Sequence, residues 1–317
     1  MPLRIAFFGT PAFAVPTLDA LLASDHEVVG VVTQPDRPRG RGQQVSDSPV
    51  KARARIAGVP ILQPTRLKDP AFLEAFAAWR ADLGVVAAYG RLLPQVLLDL
   101  PPRGLINVHA SLLPSWRGAS PIQRAVLHGD AVSGVTIMRV LLALDAGAML
   151  ARAEVPIAAD DTTGTLEARL AVVGASLLRD VVDRLGRGET VDEVPQDDSL
   201  ATLAPKIEKQ EGLIDWSRPA PALDCHVRGM QPWPGAFTFV DGQRLVVREA
   251  RVDDRPAGDT PPGGLVALDD DAIVLACGEG TTLRVVRVQP EGKRVMTARE
   301  WRLGRRSEAP LRAGMPS

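Results

Sequence analysis

The chain has 317 residues, more than one growing hydrophobic core accommodates, so two domains are expected. Apolar residues at 45% and charged residues at 24% exclude a disordered or fibrous chain, and the 27 prolines and 28 glycines are spread among apolar segments as turn-formers. A net charge of −1 excludes a molecule that attracts nucleic acid as a whole, so any such partner must be met through local features.

The opening residues MPLRIAFFGT lack the basic leader, apolar stretch and small-residue cleavage site of a secretory signal, and no window reaches the roughly 18 apolar residues that span a bilayer. Cys225 and Cys277 stand alone, without metal-ligand spacing, and read as buried thiols in a reducing compartment. The expectation is a cytoplasmic protein with no membrane partner and no metal.

Leu3–Gly9 reads as a buried strand, Phe13–Ala23 as a helix and Glu27–Thr33 as a second strand. Gln34–Gln44 follows, in which Arg37, Arg39 and Arg41 alternate with proline and glycine; no helix or central strand can form there. The pattern then predicts helices at Pro49–Ala57 and Pro70–Trp79, a strand at Ala81–Ala88, another at Gly104–His109, and a helix at about Ser120–His128. Alternating strands and helices with near-continuous apolar strands predict an α/β fold, a Rossmann-like and mostly parallel sheet covered on both faces. Val135–Val140 and Ala148–Val155 suggest two further strands, to which an antiparallel course is open, and Thr163–Leu185 a long closing helix.

The pattern changes near 200–210. A helical piece at Ala222–Gly229 precedes five short strands: Ala236–Val240, Arg244–Val252, Gly264–Leu268, Ala272–Cys277 and Thr281–Val288. Asp-Gly at 241–242 and Asp-Asp-Asp at 269–271 serve as turns. Five strands at this spacing fit a small C-terminal β-barrel, with an OB-like form among the options. The domains are therefore expected at 1–203 and 204–317, with a linker at about 190–210.

Chemistry is concentrated at Asn107-Val108-His109, the carboxyl end of a predicted parallel strand. Residues two apart share a face, so Asn107 and His109 project together where open α/β sheets bind ligands. An imidazole there can move a proton and an amide N–H can stabilise an oxyanion. Strand-end residues of this kind more often just bond loop backbone, unless a third group joins them. Asp145, in LDAG after an apolar strand, is the candidate; its bland alternative is a turn residue before Gly147.

Several long motifs carry a resemblance: FFGTPAFAVPTLDALL, VTQPDRPRGRG, SPVK, VVAAYGRLLP, INVHASLLPSWRGASPIQ, GVTIM, DDTTGTL, IDWS and QPWPGA. Together, in this order, they resemble the folate-dependent formyltransferase family nearly end to end. The resemblance implies the formyltransferase fold and catalytic roles for Asn107, His109 and Asp145. It implies 10-formyltetrahydrofolate as formyl donor, with Ser111, Leu112, Leu113 and Pro114 lining the folate site. It further implies that Trp116–Gln123, the arginine loop and the barrel-like tail suit charged initiator methionyl-tRNA. Arg37, Arg39 and Arg41, with Arg41 at the tip, and Lys206 and Lys209 of the linker would contact that tRNA, and a monomer is expected.

Within the resemblance, Leu141–Ala148 departs from the usual acidic-x-Gly-Leu-Asp-Thr-Gly-Asp. Leu141, Ala143, Ala146 and Ala148 replace an acid, a glycine, a threonine and an acid, and Ala110 stands where glycine is common. Alternatives with the same core are a related folate-dependent formyltransferase, a formyltetrahydrofolate hydrolase, and a weakened folate- or tRNA-binding homologue. Trp216 and Trp233 are candidate stacking platforms, with packing of an interdomain seam the stronger reading for Trp-Pro-Gly at 233–235; Arg248, Arg251, Arg284, Arg287, Lys293 and Arg294 are candidate contacts to the nucleic-acid backbone.

Overall fold

The computed structural model describes residues 1–36, 38–39, 44–305 and 311–314. By its internal contacts the chain falls into two compact units. One comprises Met1–Pro121, Val132–Pro156 and Glu167–Pro205; the other comprises Ile122–Ala131, Ile157–Leu166 and Lys206–Ser317.

The first unit is built on a seven-stranded mixed sheet. Its strands run in the order Met149–Pro156, Val132–Arg139, Leu105–His109, Leu83–Ala87, Arg4–Gly9, Glu27–Val32, Ile61–Leu62. The last five are parallel; Val132–Arg139 runs antiparallel to both its neighbours. The parallel strands are apolar runs because helices leave neither face to water: Ile5, Ala6, Phe7 and Phe8 are all fully buried. On one face Phe8 packs with Phe76 and edge-on with Tyr89, at ring distances of 5.5 and 5.6 Å. Phe76 belongs to the helix Pro70–Ala77, which starts on proline behind an Asp69 cap. On the other face lies the long helix Thr163–Gly186. It approaches closely at Gly174, where a Cβ would lie 2.8 Å from Val108 Cγ1.

The second unit contains the helix Ala220–Gly229 and a six-stranded antiparallel sheet. Its main path is Ala236–Val240, Gln243–Asp253, Thr282–Pro290, Ile273–Ala276, Leu265–Leu268, and Met296–Thr297 pairs with Thr282–Pro290. The Asp-Gly turn forms as read, with φ of 52° at Asp241 and 72° at Gly242, the left-handed pair of a tight hairpin. The outer strands of the path do not pair with each other. Instead the segment at 311–314 bonds to one of them and to the residues that lead into the other: Phe239 and Gly314 exchange two backbone hydrogen bonds of 3.0 Å, and Ala313 N–H donates to Gly263 O at 2.8 Å. Leu311 and Ala313 meanwhile enter the core, each 3% exposed.

Trp216 is no stacking platform. It is a core residue whose indole N–H donates to Thr238 Oγ1 at 3.0 Å. Trp233 is 53% exposed. Arg284 is also not available to a phosphate, because Asp253, Asp269 and Asp271 surround it. Cys277 is buried, which pushes its thiol up to about 12, whereas Cys225 is half-buried.

Candidate active site

Asn107 and His109 lie on the last strand of the parallel set, where it borders the antiparallel Val132–Arg139. Asn107 pairs in register with Val86 and Met138, and His109 with Thr136. Val108 turns to the opposite layer, toward the Gly174 approach, so Asn107 and His109 share the other face at the strand's carboxyl end. The Asn107 side chain is half-buried and makes no hydrogen bond among the described residues, which leaves its amide available. His109 is 5% exposed, and its Nε2 lies 3.0 Å from Trp116 O. A carbonyl only accepts, so Nε2 carries the hydrogen, and in the neutral ring Nδ1 holds the lone pair.

Asp145 comes to this imidazole from a different strand connection. Its Oδ2 lies 3.7 Å from His109 Nδ1, within ion-pair reach but too long for a direct hydrogen bond. The same oxygen accepts the Gly118 N–H at 2.9 Å. Asp145 holds φ of 50°, a left-handed conformation uncommon outside glycine. Its turn is fastened from outside: Gln196 Nε2 donates to Asp145 O and to Gly147 O, both at 2.8 Å. Arg117, only 9% exposed, grips Gln196 Oε1 through Nε and Nη2 at 3.0 and 2.8 Å and pairs with Asp198 at 2.7 Å. Gly147 is required here, since a Cβ would fall 1.9 Å from Arg139 O.

The loop after His109 is closed on itself. Ser111 Oγ donates to Ser115 O at 2.6 Å, Thr136 Oγ1 donates to Ser111 O at 2.7 Å, and Leu113 N–H donates to Thr136 Oγ1 at 3.1 Å. Leu113 is fully buried beside Met138 and Met149. Leu112 and Pro114 are half-buried, so of these four only they present partly open side chains.

Arg37 and Arg41 lie outside the described residues. Arg39 falls in a two-residue strand, Pro38–Arg39, paired antiparallel with Gln44–Val45. At the stem of this segment Lys51, 7% exposed, joins Asp36 and Asp47. That bond to Lys51, with a second from Gln63, holds the Asp36 carboxyl below its ordinary range. Lys206 and Lys209 belong to the second unit; both are exposed, and their side-chain ammonium groups have no hydrogen-bond or ion-pair partner among the described residues. Also among the described residues, no group of three or more His, Cys, Asp or Glu side chains is placed to hold a metal, and no helix is long and apolar enough to cross a membrane.

Sequence reasoning missed Gln196, which lies in the stretch set aside as linker, and gave no role to Arg117 or Lys51. Arg117 and Lys51 stand inside quoted motifs, a usable signal; nothing local marks Gln196.

The profile of the formyl transferase family matches residues 3–182, and that of the formyl transferase C-terminal domain matches residues 206–306. The chain belongs to the formyl transferase family. Among the relatives of this formyl transferase, a methionyl-tRNA formyltransferase of Pseudomonas syringae pv. syringae is 50% identical over 92% of both chains. One from Jannaschia sp. is 46% identical over 96% of this chain and 97% of its own. In fold it is similar to an N-formyltransferase from Helicobacter canadensis solved with folinic acid and dTDP-3-aminofucose. That likeness has a TM-score of 0.68 at 14% identity, over 90% of this chain and 99% of the other.

Proposed function

We propose that this formyl transferase moves the formyl group of 10-formyltetrahydrofolate to the α-amino group of methionyl initiator tRNA. The observation that carries the reading is the meeting of Asn107, His109 and Asp145 at one strand end. It is supported by the near full-length identity of 46% and 50% to methionyl-tRNA formyltransferases.

The amine nitrogen attacks the formyl carbon and forms the new C–N bond, while negative charge gathers on the formyl oxygen. Collapse of this tetrahedral intermediate breaks the bond between the formyl carbon and the folate nitrogen. One proton leaves the amine and one is gained by the departing nitrogen, so a single shuttle balances the reaction. His109 has the right resources: with Nε2–H spent on Trp116 O, Nδ1 takes the proton, and Asp145 at 3.7 Å stabilises the imidazolium. The uncommitted Asn107 amide donates to the oxyanion. The 111–114 segment lines the folate site through its backbone and through Leu112 and Pro114, since Ser111 and Leu113 are committed to the loop.

In this reading residues 1–203 form the catalytic part and residues 204–317 the tRNA-binding part. The segment with Arg37, Arg39 and Arg41 grips the nucleic acid, and Lys206 and Lys209 add phosphate contacts. Single-turnover formylation of charged initiator tRNA tests the proposal. His109→Ala should slow transfer by roughly 10²–10⁴-fold in the folded protein; near-normal transfer by that variant would refute the role.

A further inference from the structure

The acid of the site stands on a loop that offers it no support of its own. Leu141–Ala148 contains one hydrogen-bonding side chain, that of Asp145. Leu141, Leu142 and Leu144 are 54%, 60% and 53% exposed, so apolar packing does not fasten the turn either. A left-handed aspartate in such a loop persists only where its surroundings over-determine it.

We propose that Gln196 is the positioning residue that sets Asp145 against His109. This rests on the formyl-transfer reading above. The two Gln196 amide hydrogens are spent on the carbonyls of Asp145 and Gly147, which flank the turn on both sides of Ala146. The Gln196 oxygen is spent on two Arg117 nitrogens. Arg117 itself is buried, and the backbone around it is stitched to the chain that follows Gln196. Arg117 N–H donates to Thr202 O and Ala119 N–H to Ala204 O, both at 2.9 Å. Gln196 therefore stands on a fixed base and holds the backbone of the acid, while the neighbouring Gly118 N–H holds the carboxylate. The plain alternative is that Gln196 only gives Arg117 an acceptor and ties down a surface stretch.

Two replacements separate these accounts. Gln196→Glu keeps an acceptor for Arg117 but faces the two carbonyls with oxygen in place of N–H, whereas Gln196→Ala removes both functions. With the full-length protein, 10-formyltetrahydrofolate and charged initiator tRNA, both variants should lower kcat by roughly 10- to 100-fold. The KM of each substrate should stay within about threefold, and the Gln196→Glu unfolding midpoint should be retained because the introduced carboxylate still accepts from Arg117, now as an ion pair. Asp145→Ala combined with Gln196→Ala should be no slower than Asp145→Ala alone, since Gln196 acts through the acid. A wild-type kcat for Gln196→Glu overturns the proposal, as does an equal further loss in the double variant. If the unaltered protein transferred no formyl group, the formyl-transfer reading would fall by itself. Crystals of Gln196→Glu would then decide the positioning claim: withdrawal of Asp145 Oδ2 from Gly118 N–H upholds it, and an undisturbed contact overturns it.

Discussion

At the scale of single residues, the site works through what each group has left to give. His109 has one nitrogen spent and one in reserve, and Asn107 has its whole amide in reserve. Because the Asn107 side chain makes no hydrogen bond among the described residues, Asn107→Ala should leave the unfolding midpoint within a degree or two. It should nevertheless cut kcat roughly 10²–10³-fold, the usual loss for an oxyanion donor. Parallel melting curves and single-turnover rates would check this, and a matched loss of both would mean a structural amide. Asn107 and His109 were legible beforehand because strand geometry alone puts residues two apart on one face. Gln196 was not, because its bonds reach back 51 and 49 residues to Asp145 and Gly147 and leave no local pattern. Trp216, a candidate stacking platform by sequence, misled for a related reason: its N–H finds Thr238, 22 residues on, inside the second unit.

At the scale of elements, apolar period and turn chemistry carried most of the reading. Four of the five parallel strands were legible; Ile61–Leu62 was not, since two residues are too short to show a period. Met296–Thr297 and the helix Ala298–Leu303 were also passed over, although Thr297 and Glu300 form a capping box that the sequence does display. The segment at 311–314 had no such signal: two apolar residues in a polar stretch say nothing about two edges waiting for hydrogen bonds. Its Leu311 fills the core beside Trp301 and Val285, so Leu311→Ala should cost about 2–5 kcal/mol. Chemical denaturation of the full chain would measure this, and a loss under about 0.5 kcal/mol would show that the segment merely rests on the sheet.

At the scale of the whole molecule, stability should depend on pH through a histidine remote from the chemistry in sequence. His226 is 7% exposed in the second unit, its Nε2 has no hydrogen-bond partner among the described residues, and burial holds its pKa below the ordinary 6.5. The folded state thus resists a proton that the unfolded chain accepts. The stabilisation is complete above about pH 6.5 and is lost as pH falls from there toward the folded pKa, by at most about 1.4 kcal/mol per pH unit. His226→Leu should flatten the melting temperature between pH 7 and pH 5 relative to the unaltered chain; parallel curves would remove His226 from the account. Composition and strand spacing made the two folds legible, but not the assignment of Ile122–Ala131 and Ile157–Leu166 to the second unit. Membership of that kind is decided by packing between segments far apart in the chain, such as Thr163 Oγ1 donating to Gly229 O at 2.7 Å.

The pairing of Leu203–Ala204 with Arg117–Gly118 bears on any attempt to excise a minimal enzyme. A fragment cut at about residue 190 would retain Asn107, His109 and Asp145, together with every strand of the seven-stranded sheet. It would have shed Gln196 and the stitches to Arg117, leaving the acid's turn free to relax. Such a fragment should look like a finished catalyst and behave as a poor one, and the shortest version worth making extends past Ala204.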